Sequence, residues 1–425
     1  MLCKLLISLI IKILVMKDDK ILEVSKDVKW IGILDKDLVT FDVVMETKYG
    51  TTYNSYFINA EKKVLVETAK EKYFDTYLEK VKQVVKPEEI DYIIMNHTEP
   101  DHSGCLRHLL QVAPQAVVVG SGNAIRYLQD IIGVPFKSLQ VKDGDSLSLG
   151  NKTLRFMSTP NLHWPDTMFT YLEEDKLLFT CDSFGAHYCD KEMFDDLVPN
   201  YDDAFEYYFD VIIKPYSKFM LKAIEKIKPL EIKTICTGHG PILRSNWKKY
   251  VDYAEELSLK YLKETNHDQK NVLIAFVSAY GYTRQMAEAF AEGIKQSNCN
   301  IVVELADVEN MTLGEIDAKL TRCNGLIVGS PTLNQNIMLP VYKVFSMINP
   351  IRERGKPALS FGSYGWSGEA VKIIDASLKS LKLNVIREGV AIKFSPFGET
   401  RNILVQVGRE FAKSVATQPE QVNCD

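Results

Sequence analysis

The chain has no surplus of positive charge, no paired cysteines and very few histidines. Its 51 Lys and Arg stand against 56 Asp and Glu, a formal net charge of −5, which gives no basic footprint for a nucleic acid. The eight cysteines are spread singly, at Cys3, Cys105, Cys181, Cys189, Cys236, Cys299, Cys323 and Cys424. Without a C-x-x-C pair there is no cysteine-ligated rubredoxin or zinc-ribbon module, and single cysteines suit reduced thiols in a cytosolic protein. G-x-x-x-x-G-K-[ST] and G-x-G-x-x-G are also missing, so neither a nucleoside triphosphate nor a dinucleotide is the expected ligand. The apolar stretch Leu2–Val15 is broken by Lys4, Ser8 and Lys12 and is too short to span a bilayer. No small-residue cleavage site precedes Lys17-Asp18-Asp19-Lys20. Residues 1–19 therefore read as an apolar N-terminal extension, with Met16 an equally good start, on a cytoplasmic protein without a membrane anchor.

What is present begins with ordinary globular composition, 46% hydrophobic and 25% charged over 425 residues, enough for roughly two or three domains. A polar, unperiodic stretch at residues 266–271 divides the chain. Upstream, residues 20–266 predict strands at Trp30–Leu34, Val39–Glu46, Thr52–Ile58 and Val64–Glu67. An amphipathic helix follows, with Tyr73, Phe74, Tyr77, Leu78, Val81, Val84 and Val85 at helical spacing. Hairpins mixed with helices suggest two sheets packed together with helices outside. Downstream, residues 271–417 alternate strictly, and 418–425 form a tail. Apolar strands at Val272–Val277, Ile301–Leu305, Gly325–Gly329 and Ala358–Phe361 are separated by helices near Thr283–Ile294, from Pro340 and from Glu369. That pattern implies a doubly wound parallel sheet covered on both faces.

Chemistry concentrates in His97-Thr98-Glu99-Pro100-Asp101-His102, directly after the apolar run Ile90–Met95. Two imidazoles and two carboxylates in one loop, with no thiolate, favour iron or manganese over a structural zinc. Alternating donors in one loop can also feed two adjacent metals. His163, Asp182 and His239 each fall just past another predicted strand, so one sheet edge could present them together. Four of the seven histidines lie in these loops, and His187 follows Asp182 by five residues. His108, on the helix after the motif, and His267, in the polar linker, read as structural or solvated.

In the second half, three loops follow parallel strands: Ser278-Ala279-Tyr280-Gly281-Tyr282-Thr283, Ser330-Pro331-Thr332-Leu333-Asn334, and Ser363-Tyr364-Gly365-Trp366-Ser367-Gly368. Hydroxyls and free N–H groups at a helix start make an anion site. Small residues let the backbone approach a flat ring, and Tyr364 or Trp366 can stack on it. Together the loops suit a flavin mononucleotide.

With these motifs in view, the chain resembles the flavodiiron (A-type flavoprotein) family from about Lys20 to about Thr417. The family's H-x-E-x-D-H followed by His, Asp and His is met by His97, Glu99, Asp101, His102, His163, Asp182 and His239. Hydrolytic relatives of the fold typically carry His where Glu99 stands. The phosphate loop departs from the flavodoxin T-x-T-G-x-T pattern at Ala279-Tyr280 and Tyr282 but keeps Ser278, Gly281 and Thr283. The resemblance implies an α+β, metallo-β-lactamase-like αββα sandwich followed by a flavodoxin-like α/β domain. It implies one iron on His97, Glu99 and His163, a second on Asp101, His102 and His239, and Asp182 bridging both, with His102 bound or displaced. Trp164, His187, Tyr207 and Tyr208 would surround these ligands.

The implied activity is reduction of oxygen to water, or of nitric oxide to nitrous oxide, with oxygen the main substrate expected. Electrons would come from a separate donor such as rubredoxin or a flavin-linked reductase. A head-to-tail homodimer, or a dimer of dimers, would set the flavin of one chain against the irons of the other. Two other readings share parts of this pattern: a di-zinc hydrolase carrying a flavodoxin module, and a pure electron-transfer flavoprotein. No donor position is missing, which disfavours the second, and the acidic balance disfavours a nuclease.

Overall fold

A computed structural model describes residues 19–41, 45–265 and 269–418. All but Asp19 of the expected extension and all but Gln418 of the expected tail lie outside the described residues. The chain divides into two compact units between Tyr261 and Leu262. That point falls inside the long helix Trp247–Thr265, slightly ahead of the polar stretch 266–271.

The first unit is built on two sheets. One has seven strands, in the spatial order Leu22–Ser25, Val28–Trp30, Tyr56–Asn59, Lys63–Val66, Ile90–Met95, Val117–Gly120 and Ser138–Gln140. The other has five, Ser146–Ser148, Thr153–Ser158, Met168–Leu172, Leu177–Cys181 and Thr234–Thr237. Their facing sides share one core, in which Trp30, Ile58, Val64 and Ile94 meet Phe156, Met168, Leu177 and Phe179. The outer face of the first sheet packs on the helices Phe74–Val84, Leu106–Val112 and Gly122–Ile132. That of the second packs on helices from Asp202 to Ile227 and on Trp247–Thr265. This is an αββα sandwich.

Two expected strands are interrupted. Trp30–Leu34 splits into Val28–Trp30 and Ile33–Asp35, and Thr52–Ile58 into Thr51–Tyr53 and Tyr56–Asn59. At Gly32 a Cβ would stand 2.3 Å from the Tyr53 carbonyl, so the chain leaves one sheet there by close backbone approach, which periodicity does not report. Val39–Glu46 reduces to the paired arms Thr40–Phe41 and Met45–Glu46, with 42–44 outside the described residues. Ile90–Met95 is a strand as expected, and the predicted helix runs Phe74–Val84 with Tyr77 and Val81 buried.

In the second unit, five strands run in the order Ile301–Asp307, Lys270–Phe276, Gly325–Gly329, Pro357–Tyr364, Asn384–Val385, and Val390–Lys393 also pairs with Pro357–Tyr364. All these pairings are parallel, and helices cover both faces. Ile301–Asp307 is an edge, with Val302 and Leu305 exposed, rather than a fully buried strand. The helices Leu313–Arg322 and Glu399–Ala416 and the last two strands were not foreseen.

Helix Tyr282–Lys295, which begins at the Ser278–Thr283 loop, lies hard against Glu399–Ala416. A Cβ on Gly293 would stand 2.0 Å from the Val405 carbonyl, and one on Gly408 2.4 Å from that of Phe290. Gly293→Val should therefore push the helices apart and destabilise this unit by about 2 kcal/mol. A lower urea midpoint by circular dichroism checks it; an unchanged midpoint would show that the contact is slack.

Candidate metal centre and flavin loops

Four loop segments at strand ends bring the predicted metal donors together. His97 and Glu99 leave strand Ile90–Met95 in extended chain, and Pro100 then starts a single helical turn, Pro100–Ser103, with proline in its preferred first position. That turn swings Asp101 and His102 away from His97 and Glu99. His163 follows strand Thr153–Ser158, Asp182 follows Leu177–Cys181, and His239 follows Thr234–Thr237. All are buried except Glu99 and His163, whose side chains are 17% and 16% exposed.

The donors form two sets. In the first, Glu99 Oε2 lies 3.2 Å from His97 Nε2 and 2.9 Å from His163 Nε2, and Asp182 Oδ2 lies 3.5 and 3.6 Å from the same two nitrogens. In the second, Asp101 Oδ2 is 3.1 Å from His239 Nε2 and 3.5 Å from His102 Nε2, and Asp182 Oδ1 is 3.4 and 3.1 Å from them. Bonds of about 2.0–2.2 Å to one ion place neighbouring donors about 3.0 Å apart in an octahedron and about 3.4 Å in a tetrahedron. Both sets have those edges, and Asp182 gives one oxygen to each. Asp182 Oδ2 and Asp101 Oδ1 are buried without a hydrogen-bond partner, a cost that a cation offsets. The donor set fits two hard or borderline metal ions.

Electrostatics agree. Burial opposes ionisation of Glu99, but hydrogen bonds from His163 and His97 outweigh it and hold the carboxyl low. Asp182, against burial, is held well below the usual range by His102, His239 and His97. His239 is pushed up to about 10 because Asp101 and Asp182 outweigh its burial. His187 goes the other way, down to about 3, through burial and the neighbouring His239.

The second imidazole nitrogens are anchored by groups the sequence reading missed. His97 Nδ1 lies 3.1 Å from Asp166 Oδ2, which also accepts from Thr98 N and Thr98 Oγ1, each at 2.8 Å. His239 Nδ1 donates to the Thr52 carbonyl at 2.5 Å. Asp166, three residues past His163, was visible as a carboxylate in a ligand loop; a backbone carbonyl leaves no such signal. Tyr208 is buried and donates to Asp182 Oδ1 at 3.0 Å. His187 packs its ring 4.8 Å from Tyr208, bonds Thr51 through Nδ1 and leaves Nε2 buried without a partner. Trp164 lies edge-on to His97 at 5.1 Å. Tyr207 differs from expectation: it turns to solvent, 40% exposed, because the neighbour of an inward helical residue points about 100° away. His108 pairs with Glu71 on the surface, and His267 lies outside the described residues.

In the second unit the three predicted loops sit at the C-terminal ends of adjacent parallel strands, the binding edge of such a sheet. Thr283 Oγ1 and Ser363 Oγ are 2.9 Å apart, Thr332 N donates to the Ser363 carbonyl at 2.8 Å, and Thr332 Oγ1 accepts from Ala370 N. Ser278 Oγ accepts from Arg284 N, and Ser330 Oγ from Met338 N. Gly281, at φ +84°, turns the chain into helix Tyr282–Lys295, which has no side-chain cap, so its first N–H groups suit an anion. Tyr280 and Trp366 stand 80% and 86% exposed, large rings free to cover a flat ligand. Leu333 is also exposed, Asn334 has φ +52°, Tyr364 is partly buried against Gly368, and a Cβ on Gly365 would have only the Phe394 ring nearby. Pro331 carries the carbonyl that takes the Ser330 hydroxyl. Phe394, 52% exposed and 6.3 Å from Tyr282, is an addition that follows a strand that was not foreseen. This cradle fits a flavin mononucleotide.

Two family models match the chain: ODP family beta lactamase over residues 51–240 and flavodoxin over residues 274–402. A flavo-diiron protein of Clostridium acetobutylicum is 38% identical over 405 residues, covering 93% of this chain and 99% of that one. A type A flavoprotein of Rhodobacter capsulatus is 36% identical over 397 residues, covering 92% and 90%. Among solved structures, the flavodiiron protein of Giardia intestinalis matches with TM-score 0.62 at 30% identity, and the rubredoxin oxygen:oxidoreductase of Desulfovibrio gigas with TM-score 0.65 at 28%; each match covers 93% of this chain and 98% of the other. The chain belongs to the flavodiiron, or type A flavoprotein, family. Its first unit is the metallo-β-lactamase-like part and its second the flavodoxin-like part.

Removing the Asp166 carboxylate should loosen His97 without touching a donor atom. Asp166→Ala is expected to lower iron affinity about 10–100-fold, read by competition with a chelator. Unchanged affinity would mean that packing alone orients His97.

Proposed function

We propose that this protein is a diiron and FMN oxidoreductase that reduces oxygen to water with electrons from a separate redox donor. The observation that carries the reading is Asp182, whose two oxygens face two donor sets of mixed imidazole and carboxylate. Glu99 in place of a third imidazole favours iron over zinc, which argues against the di-zinc hydrolase. The family likeness to a protein named rubredoxin oxygen:oxidoreductase supports oxygen as substrate and a rubredoxin-type donor. Reduction of nitric oxide to nitrous oxide is the second reading, because the same donors serve either diatomic.

Two irons in these sets would supply electrons to a small diatomic, and FMN in the second unit would replace them. The chain's own groups do the positioning. His97, Glu99 and His163 would hold one ion, and Asp101, His102 and His239 the other. Tyr208 would steady Asp182 between the two sets by donating its hydroxyl to Oδ1. The His187 ring lies 4.8 Å from that of Tyr208 and 5.5 Å from that of His239, and its buried Nε2, without a partner, could offer an N–H there. Ser278, Tyr280, Gly281, Tyr282 and Thr283 would receive the flavin phosphate end, and Ser330 to Asn334 and Ser363 to Gly368 its ring.

Among the described residues no helix is long and apolar enough to cross a membrane; the cysteines, spread singly with no C-x-x-C pair, are what support a cytoplasmic location. A head-to-tail homodimer would bring the flavin of one chain to the irons of the other, closed two-fold pairs being the commonest assemblies. Mixing an Asp182→Ala chain with a Thr283→Val, Gly365→Trp chain should restore activity in the heterodimer. Verified heterodimers that stay inactive would place electron transfer within one chain.

The reading itself is tested by metal and flavin analysis with anaerobic turnover of the reduced protein. Two irons and one FMN per chain, with four electrons consumed per oxygen, are expected, and Asp182→Ala should lose iron and turnover together. Turnover of nitric oxide alone would select the second reading; zinc and ester or thioester hydrolysis would overturn both.

A further inference from the structure

The helical layer outside the second sheet carries a stack of aromatic rings that neither the metal donors nor the flavin loops use. Tyr188, the residue after His187, lies 5.1 Å ring to ring from Tyr49 and 5.1 Å from Tyr201. Tyr201 stacks on Tyr250 at 5.0 Å and 21°. Tyr250 lies 4.9 Å from Phe205, which stacks on Tyr253 at 5.6 Å and 21°. Phe205 precedes Tyr208 by three residues on helix Asp202–Tyr208, so the two side chains are neighbours on one face. Tyr208 in turn donates to Asp182 at 3.0 Å. One end of the stack therefore stands beside the bridging carboxylate, and the others are the partly exposed Tyr253 and Tyr49.

Packing alone does not ask for hydroxyls here. Phenylalanine fills nearly the same space, and it would avoid the cost of the Tyr201 hydroxyl, buried without a hydrogen-bond partner. The outer hydroxyls are set out differently. Tyr250 donates to Asp202 at 3.1 Å, Tyr253 to Glu206 at 2.8 Å and Tyr49 to Asp203 at 2.9 Å. All three carboxylates come from the helix that carries Phe205 and Tyr208 or its first turn. A phenol that loses an electron becomes strongly acidic, and a carboxylate already holding its hydrogen bond takes the proton without rearrangement. Oxidation is therefore easier at these outer rings than at Tyr201. Lys249 and Lys48 compete for Asp202 and Asp203, which singles out Tyr253 with Glu206 as the place where the loss settles.

We propose that this stack is an electron reserve, through which Tyr250 and Tyr253 supply the metal centre when the flavin has no electrons to give. The inference rests on the diiron, oxygen-reducing reading. Oxygen needs four electrons and four protons to become two waters, and two ferrous ions carry only two of those electrons. Tyr250 and Tyr253 give one electron each across the rings, and their hydroxyl protons pass to Asp202 and Glu206. Two neutral tyrosyl radicals remain, and the four protons for water come from solvent. No proton moves at Tyr208, which serves only as the near end of the path. Each radical returns to tyrosine by taking one electron from the external donor and its proton back from the carboxylate. The reserve thus keeps an unfinished reduction from oxidising the buried histidines.

The test uses the full chain, freed of flavin and loaded with two ferrous ions, mixed with oxygen and frozen within milliseconds. Remaining ferrous iron is counted with a chelator, and the narrow tyrosyl signal is recorded by electron paramagnetic resonance. The signal is expected to appear as ferrous iron is lost, and to be absent when the same chain carries reduced flavin. Tyr250→Phe with Tyr253→Phe should lose most of the signal while ferrous oxidation keeps its rate. Glu206→Gln, which keeps a hydrogen-bond acceptor but takes the proton poorly, should weaken it, and Tyr92→Phe should change nothing. Complete ferrous oxidation without a radical, or a full signal in the double variant, would overturn the reserve and leave the diiron reading standing. Should Tyr250→Phe not fold, Tyr253→Phe at the partly exposed end decides, and an undiminished signal overturns the proposal. A chain that binds no iron, or whose ferrous ions survive oxygen, would sink the proposed function and this inference with it.

Discussion

Asp182 has to present one oxygen to each of two donor sets while lying buried, and much of the first unit is arranged around that demand. A lone buried carboxylate held ionised costs several kcal/mol. Here His102, His239 and His97 surround it, and the Tyr208 hydroxyl donates to one of its oxygens. Strand Leu177–Cys181 pairs with Met168–Leu172 on one side and Thr234–Thr237 on the other, so Asp182 leaves the sheet beside the loop of His239. The loop of His97 to His102 comes from the facing sheet. The shared core between the sheets, with Phe156, Phe179 and Ile94, therefore sets the distance between the two halves of the metal centre.

The second unit solves a different problem with a different device. Its ligand edge needs backbone approach more than charge, and the loops are tied to one another by hydroxyls: Thr283 to Ser363, Thr332 to the helix after Gly368. Exposed rings are costly on a protein surface unless they cover a ligand or a partner. Tyr280, Trp366 and Phe394, gathered near these loops, make sense as walls for a flat ring.

How much of this was legible in the sequence depended on the kind of signal. Ile90–Met95 and Lys270–Phe276 are continuous apolar runs or nearly so, and the ligand-bearing loops of the first unit were found because histidine is scarce in this chain. Asp182 was found by its position after a strand, but nothing in its local sequence says that its oxygens separate into two sets. That depends on Glu99, far upstream, and His239, far downstream, which only the folded chain brings to its two sides. The break at Gly32 was hidden because close approach to Tyr53 is a tertiary fact. Tyr207 and Tyr208 could not be separated without the helix phase. Asp166 lies behind His97 rather than among the motif residues, so the sequence showed it only as one more carboxylate in the His163 loop.

The account stands on two metal ions sharing one carboxylate, and anomalous diffraction at the iron edge addresses that directly. Two peaks are predicted, one among His97, Glu99 and His163 and one among Asp101, His102 and His239, each bonded to a different oxygen of Asp182. A single peak, a signal at the zinc edge alone, or two irons that both avoid Asp182 would contradict it.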